Sequence, residues 1–138
     1  MGRNVAASYQ KVQATTASPG QRVVMVYKAI VKNLESASAD CDKTDDPERF
    51  ERINQSIQGA DQMIRELKIA LDKNAGGELA ENLDALYAFW RRHLLKANME
   101  KSKQKIEEIL KMVREMTDAW VAAERNVRNE AEKSSKQA

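Results

Sequence analysis

A chain of 138 residues with 42% hydrophobic and 32% charged residues has enough apolar material for one domain with its own core. Lys and Arg number 23 against 21 Asp and Glu, and this near-balance argues against the concentrated basic surface of a nucleic-acid-binding protein. The single cysteine, Cys41, and the single histidine, His93, exclude an internal disulfide and a zinc site built from several Cys and His ligands.

The apolar pattern does not predict a membrane protein. No apolar run approaches the roughly 20 residues that are needed to cross a bilayer. Residues 1–13 also lack the apolar centre of a secretory signal. We therefore expect a cytoplasmic protein that does not insert into a membrane.

The first helix is predicted by a start signal followed by an apolar stripe. Residues 1–17 show no sustained period, so we expect an irregular N-terminal segment there. Ser18 is a good N-cap, and Pro19 suits the first helical position because its missing N–H would have no intrahelical partner there. The first helix is expected over residues 18–39. Its core face is formed by Val23, Tyr27, Ile30, Leu34 and Ala37.

The second helix carries the most regular stripe in the chain. Asp46-Pro47 repeats the start signal after a polar break. Gly76-Gly77 is typical of a helix end, because glycine adopts the left-handed cap conformation without strain. We therefore expect the second helix over residues 46–74. Its core face is formed by Phe50, Ile53, Ile57, Ala60, Ile64, Leu67 and Leu71.

Two further helices complete the pattern. Glu78 is favourable in a first turn, and the third helix is expected over residues 78–98. Ser102 offers an N-cap for a fourth helix over residues 102–129, whereas residues 130–138 are small or charged and are expected to fray. The two core faces are formed by Leu79, Leu83, Leu86, Trp90, Leu94 and Ala97, and by Ile106, Ile109, Val113, Met116, Trp120 and Val127.

Four amphipathic helices with short connections, and no segment of strand period, predict an all-α protein. The expected architecture is an antiparallel four-helix bundle with an irregular N-terminal segment, in one domain over residues 1–138. Some apolar side chains fall outside the four core faces on a helical wheel. Single exposed apolar residues are normal, but several on neighbouring helices favour a protein-binding surface. These residues are Val24, Met25, Val31, Met63, Ile69, Tyr87, Phe89, Leu95 and Met112.

The segment Arg91–Ala97 contains H-x-L-K, which is similar to the core of the histidine phosphotransfer domains, themselves small four-helix bundles. That chemistry requires an exposed imidazole in the middle of a helix. His93 falls at the edge of the core face and in the last turn of the predicted helix, where a packed, hydrogen-bonded histidine is the commoner case. Phosphotransfer through His93 stays open as an alternative function. No Gly-rich phosphate loop or Glu-x-x-His pair predicts other catalysis.

Three stretches of the chain follow the pattern of a known family. They are Tyr9–Pro19 with Met25–Ile30, Gly76–Tyr87, and Arg91–Asn98 with Ala119-Trp120. Their order and spacing resemble the flagellin-specific export chaperones, the FliS family, over residues 9–120. Lys28 and Ala88 depart from the family pattern, since each follows a tyrosine where that family commonly has an acidic residue.

The resemblance implies a cytosolic chaperone that is not an enzyme and needs no nucleotide, metal or other cofactor. Such a chaperone binds the disordered C-terminal region of flagellin, prevents premature filament assembly and delivers the subunit to the flagellar type III export gate. It also implies an N-terminal segment that can lie over part of the bundle, with Tyr9 as the matching residue. Our hypothesis is that Tyr9 caps apolar surface in the free chaperone and moves aside for the client; a fixed packing anchor and a disordered segment stay open as alternatives. An adaptor unrelated to flagella and the pairing of two copies stay open. The expected client contacts are Met63, Ile69, Phe89, Leu95 and Met112.

Overall fold

Four helices form the part of the chain that the computed structural model describes, residues 18–137. They are α1 (Pro19–Cys41), α2 (Arg49–Ile69), α3 (Lys73–Glu100) and α4 (Lys103–Gln137). Successive helices pack side by side, and α4 returns along α1 to close the ring. The prediction of an all-α bundle is confirmed for these residues. The expected irregular segment, residues 1–17 with Tyr9, lies outside the described residues.

The start of α1 follows from the local sequence. Ser18 Oγ accepts a hydrogen bond from the backbone N–H of Gln21 at 3.2 Å, and the Gln21 side chain accepts one from the Ser18 N–H at 3.0 Å. This capping box satisfies two N–H groups that a helix start would otherwise leave unpaired. Pro19 occupies the first turn, as the sequence predicts.

The four predicted stripes meet in one core. Most of their residues are buried, including Tyr27 and Leu34 of α1 and Ile109 and Val113 of α4. Leu110 and Tyr87 join them. The stripe on the fourth helix does not predict Leu110, and the helical wheel wrongly places Tyr87 outside the core face of the third helix. Removing apolar side chains from water in this way is the main force that holds such a bundle together.

Three residues predicted for the core are exposed instead, and each lies at a helix boundary or beyond the bundle. Phe50 is in the first turn of α2, where the Arg49 guanidinium lies 4.6 Å from its ring centroid. Leu79 follows an interruption of α3 at Gly77. Val127 lies on the part of α4 that extends past the start of α1. A helical wheel assumes one straight, fully packed helix, and these positions do not meet that assumption.

Aromatic side chains fill the centre of the core. The hydroxyl groups of Tyr27 on α1 and Tyr87 on α3 share a hydrogen bond of 2.6 Å. Trp90 lies edge-on to Tyr27, with ring centroids 6.3 Å apart and an interplanar angle of 82°, a favourable geometry for aromatic rings. Burial raises the pKa of both tyrosines, so their hydroxyl groups stay protonated. The hydrogen bond therefore ties α1 to α3 across the diagonal of the bundle.

The turn between α2 and α3 differs from the prediction. α2 ends at Ile69 rather than at residue 74, and α3 begins at Lys73 rather than at residue 78. The Asp72 side chain accepts hydrogen bonds from the backbone N–H groups of Asn74 and Ala75 at 3.1 and 3.0 Å. Asp72 is thus an N-cap that adds one turn to the start of α3.

Gly76-Gly77 interrupts α3 and does not end α2. Gly77 has φ 54° and ψ −132°, a conformation that residues with a side chain rarely adopt. A Cβ on Gly76 would lie only 2.7 Å from the Cβ of Ala80. The two glycines therefore permit a kink between the short first turn and the main body of α3.

The other helix ends differ from the predicted ones by a few residues. α2 begins at Arg49 rather than at residue 46, because Asp46 Oδ1 first accepts the backbone N–H of Glu48 at 2.9 Å in a turn. α1 ends at Cys41 rather than at residue 39, and α3 ends at Glu100 rather than at residue 98. Lys101, which follows α3, has a left-handed φ of 52° and closes the helix.

α4 extends beyond the bundle. Ser102 Oγ accepts the backbone N–H of Lys105 at 3.2 Å, so the predicted N-cap is confirmed. The helix then continues to Gln137, and the prediction that residues 130–138 fray is wrong for the residues described. This tail has neither Gly nor Pro and contains Ala, Glu, Lys and Gln, which favour helix even when exposed. Within residues 18–137, no helix is long and apolar enough to cross a bilayer.

The kink predicts a specific cost at Gly77. We expect Gly77→Ala to lower the free energy of unfolding by about 1–3 kcal/mol, because a Cβ strains the left-handed backbone. Gly20→Ala is the control, since a Cβ there would meet the Glu124 side chain at an ordinary 3.5 Å, and we expect it to be neutral or mildly stabilising. Urea titrations followed by circular dichroism measure both. Equal effects of the two substitutions would contradict the strain at Gly77.

Candidate functional site

Three polar bridges join α2 to α3 along one side of the bundle. They pair Asn54 with Asn98 at 2.8 Å, Asp61 with Arg91 at 2.8 Å, and Lys68 with Asp84 at 2.7 Å. On each helix the bridging residues are seven apart, which is close to two turns, so the bridges form a line. Their order is opposite on the two helices. The bridges therefore fix α2 and α3 in one antiparallel register.

Two of these bridges are ion pairs, and each shifts the pKa of one of its members. A hydrogen bond from Lys68 lowers the pKa of Asp84, and Lys73 also approaches the same carboxylate at 3.4 Å. The hydrogen bond to Asp61 raises the pKa of Arg91. Both pairs are partly exposed, and such pairs contribute little to stability. Their clearer consequence is the register of the two helices.

A groove of about 540 Å³ runs between α2 and α3 beside this line of bridges. The buried side chains of Ile57 and Leu94 form its floor. Leu95 lines it from α3 with 61% of its surface exposed. Gln58 and Gln62 line it from α2. An apolar floor with polar edges is the arrangement that binds an amphipathic helix.

The α3 side of the groove continues as a row of side chains along one helix face. Ala88, Arg92, Leu95 and Met99 are four, three and four residues apart, which is the spacing of one face. Met99 is 77% exposed and lies one turn beyond Leu95. The sequence reading omits Met99, although its spacing from Leu95 is the signal that identifies it.

The five predicted client contacts do not form one surface. Leu95 lines the α2–α3 groove, and Ile69, the last residue of α2, is 73% exposed. Met63 faces α1 instead, where its sulfur accepts a hydrogen bond from Asn33 Nδ2 at 3.8 Å. Met63 is only partly exposed and packs against the core.

The other two predicted contacts lie away from the groove. Phe89 stacks on His93, with ring centroids 5.5 Å apart. His93 Nε2 is 2.7 Å from Glu108 Oε2 of α4, so Phe89 is on the α4 side of α3. Met112, one turn after Glu108, is partly buried and packs against the core. The wheel gives the angle of each residue about its own helix but not which neighbouring helix it faces.

His93 is a packed residue in this structure. Its side chain is 18% exposed, and it lies between the Phe89 ring and the Glu108 carboxylate. The sequence predicts His93 in the last turn of its helix. That prediction is wrong, because α3 extends to Glu100. The adjacent carboxylate would repel an incoming phosphoryl group, so this geometry does not favour phosphotransfer.

Comparison with known proteins shows that the chain is similar to flagellar chaperones. A family model described as flagellar protein FliS matches residues 1–127. The flagellar secretion chaperone FliS of Salmonella typhimurium is 32% identical over 76% of each chain. Its counterpart in Bacillus subtilis is 29% identical over 88% of this chain and 86% of its own. That of Vibrio cholerae is 28% identical over 82% and 83%. All three are named as chaperones and not as enzymes.

The bridge between Lys68 and Asp84 predicts how stability depends on pH. Because the pKa of Asp84 is lowered in the folded protein, its contribution is complete above the usual value of 3.8 and is lost as the pH falls through the lowered value. Asp84→Asn should therefore destabilise the protein at neutral pH, and the difference from the parent should shrink in acid.

Urea titrations at several pH values measure this difference. Asp118→Asn is the control, since Asp118 is exposed and forms no ion pair within residues 18–137. A deficit for Asp84→Asn that persists unchanged at the lowest pH would contradict a role for the charged carboxylate.

Proposed function

This chain belongs to the FliS family of flagellar proteins, and on that premise we propose that its client is the C-terminal region of flagellin. The names of its relatives set the class of function, a secretion chaperone for a flagellar protein. We propose further that it binds this region in the cytoplasm, prevents premature polymerisation and delivers the subunit to the flagellar export gate.

The observation that carries this proposal is the α2–α3 groove. Its floor is apolar, its edges are polar, and Leu95 projects from one wall into solvent. A helix that lays an apolar face over Leu95 would remove that side chain from water, which stabilises a complex in proportion to the area buried. The fixed register of α2 and α3 means that the chaperone presents this surface preformed.

A disordered client fits this surface because it orders itself only on binding. The cost of that ordering reduces affinity for a given contact area and makes release easier. Release is required of a chaperone that passes its client to an export gate. A client segment longer than the groove would also reach the exposed Ile69 and the Phe89 ring on the other side of α3, as part of the same binding mode.

Calorimetric titration with a flagellin fragment tests the proposal. The probe is the C-terminal segment of about 50 residues of flagellin from the same organism, and we expect a one-to-one complex with a large negative heat-capacity change. Truncation of that segment should abolish the binding. Absence of binding at high micromolar concentration would overturn the proposal. If the sedimentation coefficient of the chaperone without client rises with its concentration, this would instead indicate pairing of two copies.

Leu95→Asp is the variant that tests the groove as the binding site. It should weaken the complex by about tenfold to a hundredfold, because burial of a leucine is worth about 1.5–3 kcal/mol and every 1.4 kcal/mol is tenfold in affinity. Val127→Asp is the matched control, since Val127 is 69% exposed but lies on the tail of α4. Circular dichroism checks that both variants fold. Equal loss of affinity in the two variants would place the client elsewhere.

A further inference from the structure

One cation in the α2–α3 groove has no partner within residues 18–137. Lys68 and Arg91 line the groove, but they are already paired with Asp84 and Asp61. Arg92 lines the same groove, is exposed, and forms no ion pair with any described residue. The groove thus offers an available guanidinium beside an apolar floor.

The position of Arg92 sets the spacing that an occupant must match. It follows Ala88 by four residues and precedes Leu95 by three, so it lies between two apolar side chains on one face of α3. A helix alongside this row would contact an apolar side chain, then the guanidinium, then another apolar side chain. The complementary occupant has an acidic residue between two apolar residues that are two turns apart.

The two outer bridges, Lys68–Asp84 and Asn54–Asn98, mark the length over which α2 and α3 are bridged. Asn98 follows Asp84 by fourteen positions, which at about 1.5 Å per residue is about 21 Å along the helix axis. A helical segment of roughly four turns fills that length. A guanidinium can bind a carboxylate through two parallel hydrogen bonds, which adds geometric specificity to the contact.

We infer that the groove selects an acidic amphipathic helix of about four turns, with a carboxylate that pairs with Arg92. The inference rests on the proposed function, because the client supplies the helix. Arg92 then determines specificity through charge, whereas Leu95 supplies apolar contact. The central position of the charge also sets the register of the client along the groove.

Titrations with the same flagellin fragment test the role of Arg92. Arg92→Gln should weaken binding about twofold to fivefold, and Arg92→Glu about tenfold, at low ionic strength. The affinity of the parent should fall with salt, and Arg92→Gln should lose part of that dependence. Lys111→Glu is the control, because it makes the same change of charge as Arg92→Glu at an exposed position on α4. It should bind as the parent does.

A pair of synthetic peptides separates the chemistry of the groove from the identity of the client. One is a helical peptide of about 14 residues with a glutamate between two leucines, each about one turn away, and its twin has lysine in place of that glutamate. The parent should prefer the glutamate peptide, and Arg92→Glu should prefer the lysine twin. Equal binding of the twins, or equal effects of Arg92→Glu and Lys111→Glu on the flagellin complex, would overturn the inference. Selective binding of the glutamate peptide without any binding of flagellin would overturn only the proposed client.

Discussion

The register between α2 and α3 is the constraint on which the binding surface depends. Polar pairs at seven-residue intervals are satisfied together in one alignment of the two helices, and a slip by one turn would break all of them. In that alignment the buried residues Ile57 and Leu94 line the floor of the groove, and Leu95 lies at its edge. Weak, partly exposed bridges can thus match the alignment of the proposed binding surface without contributing much to stability.

Stability comes from the interior, which lies beneath the groove and supplies its floor. The Tyr27–Tyr87 hydrogen bond crosses the diagonal of the bundle within an aromatic cluster. It therefore joins α3, which forms one wall of the groove, to α1. Unpaired buried hydroxyl groups are costly, and this pairing favours one packing of α1 against α3. If the client is disordered, as proposed, the conformational change on binding is left to the client.

The sequence predicts the helices well where local chemistry decides the structure. Ser18 and Ser102 cap helices because their side chains reach nearby N–H groups, and the apolar stripes find most of the core. The kink at Gly77 is missed because the cap at Asp72 competes with a simple helix end. The bridges, such as Asp61 with Arg91, are missed because partners 30 residues apart depend on tertiary register. For the same reason the predicted client contacts are spread over several faces.

Chemical-shift mapping of the isotopically labelled chaperone, titrated with the C-terminal segment of flagellin, would test the binding surface most directly. We predict that the largest backbone amide changes fall on the groove-lining residues of α2 and α3, around Gln58, Gln62, Ala88 and Leu95. The exposed face of α1 around Lys28 and Lys32 should change little. Changes concentrated between α1 and α4, with the groove unaffected, would contradict the groove as the site where the client binds.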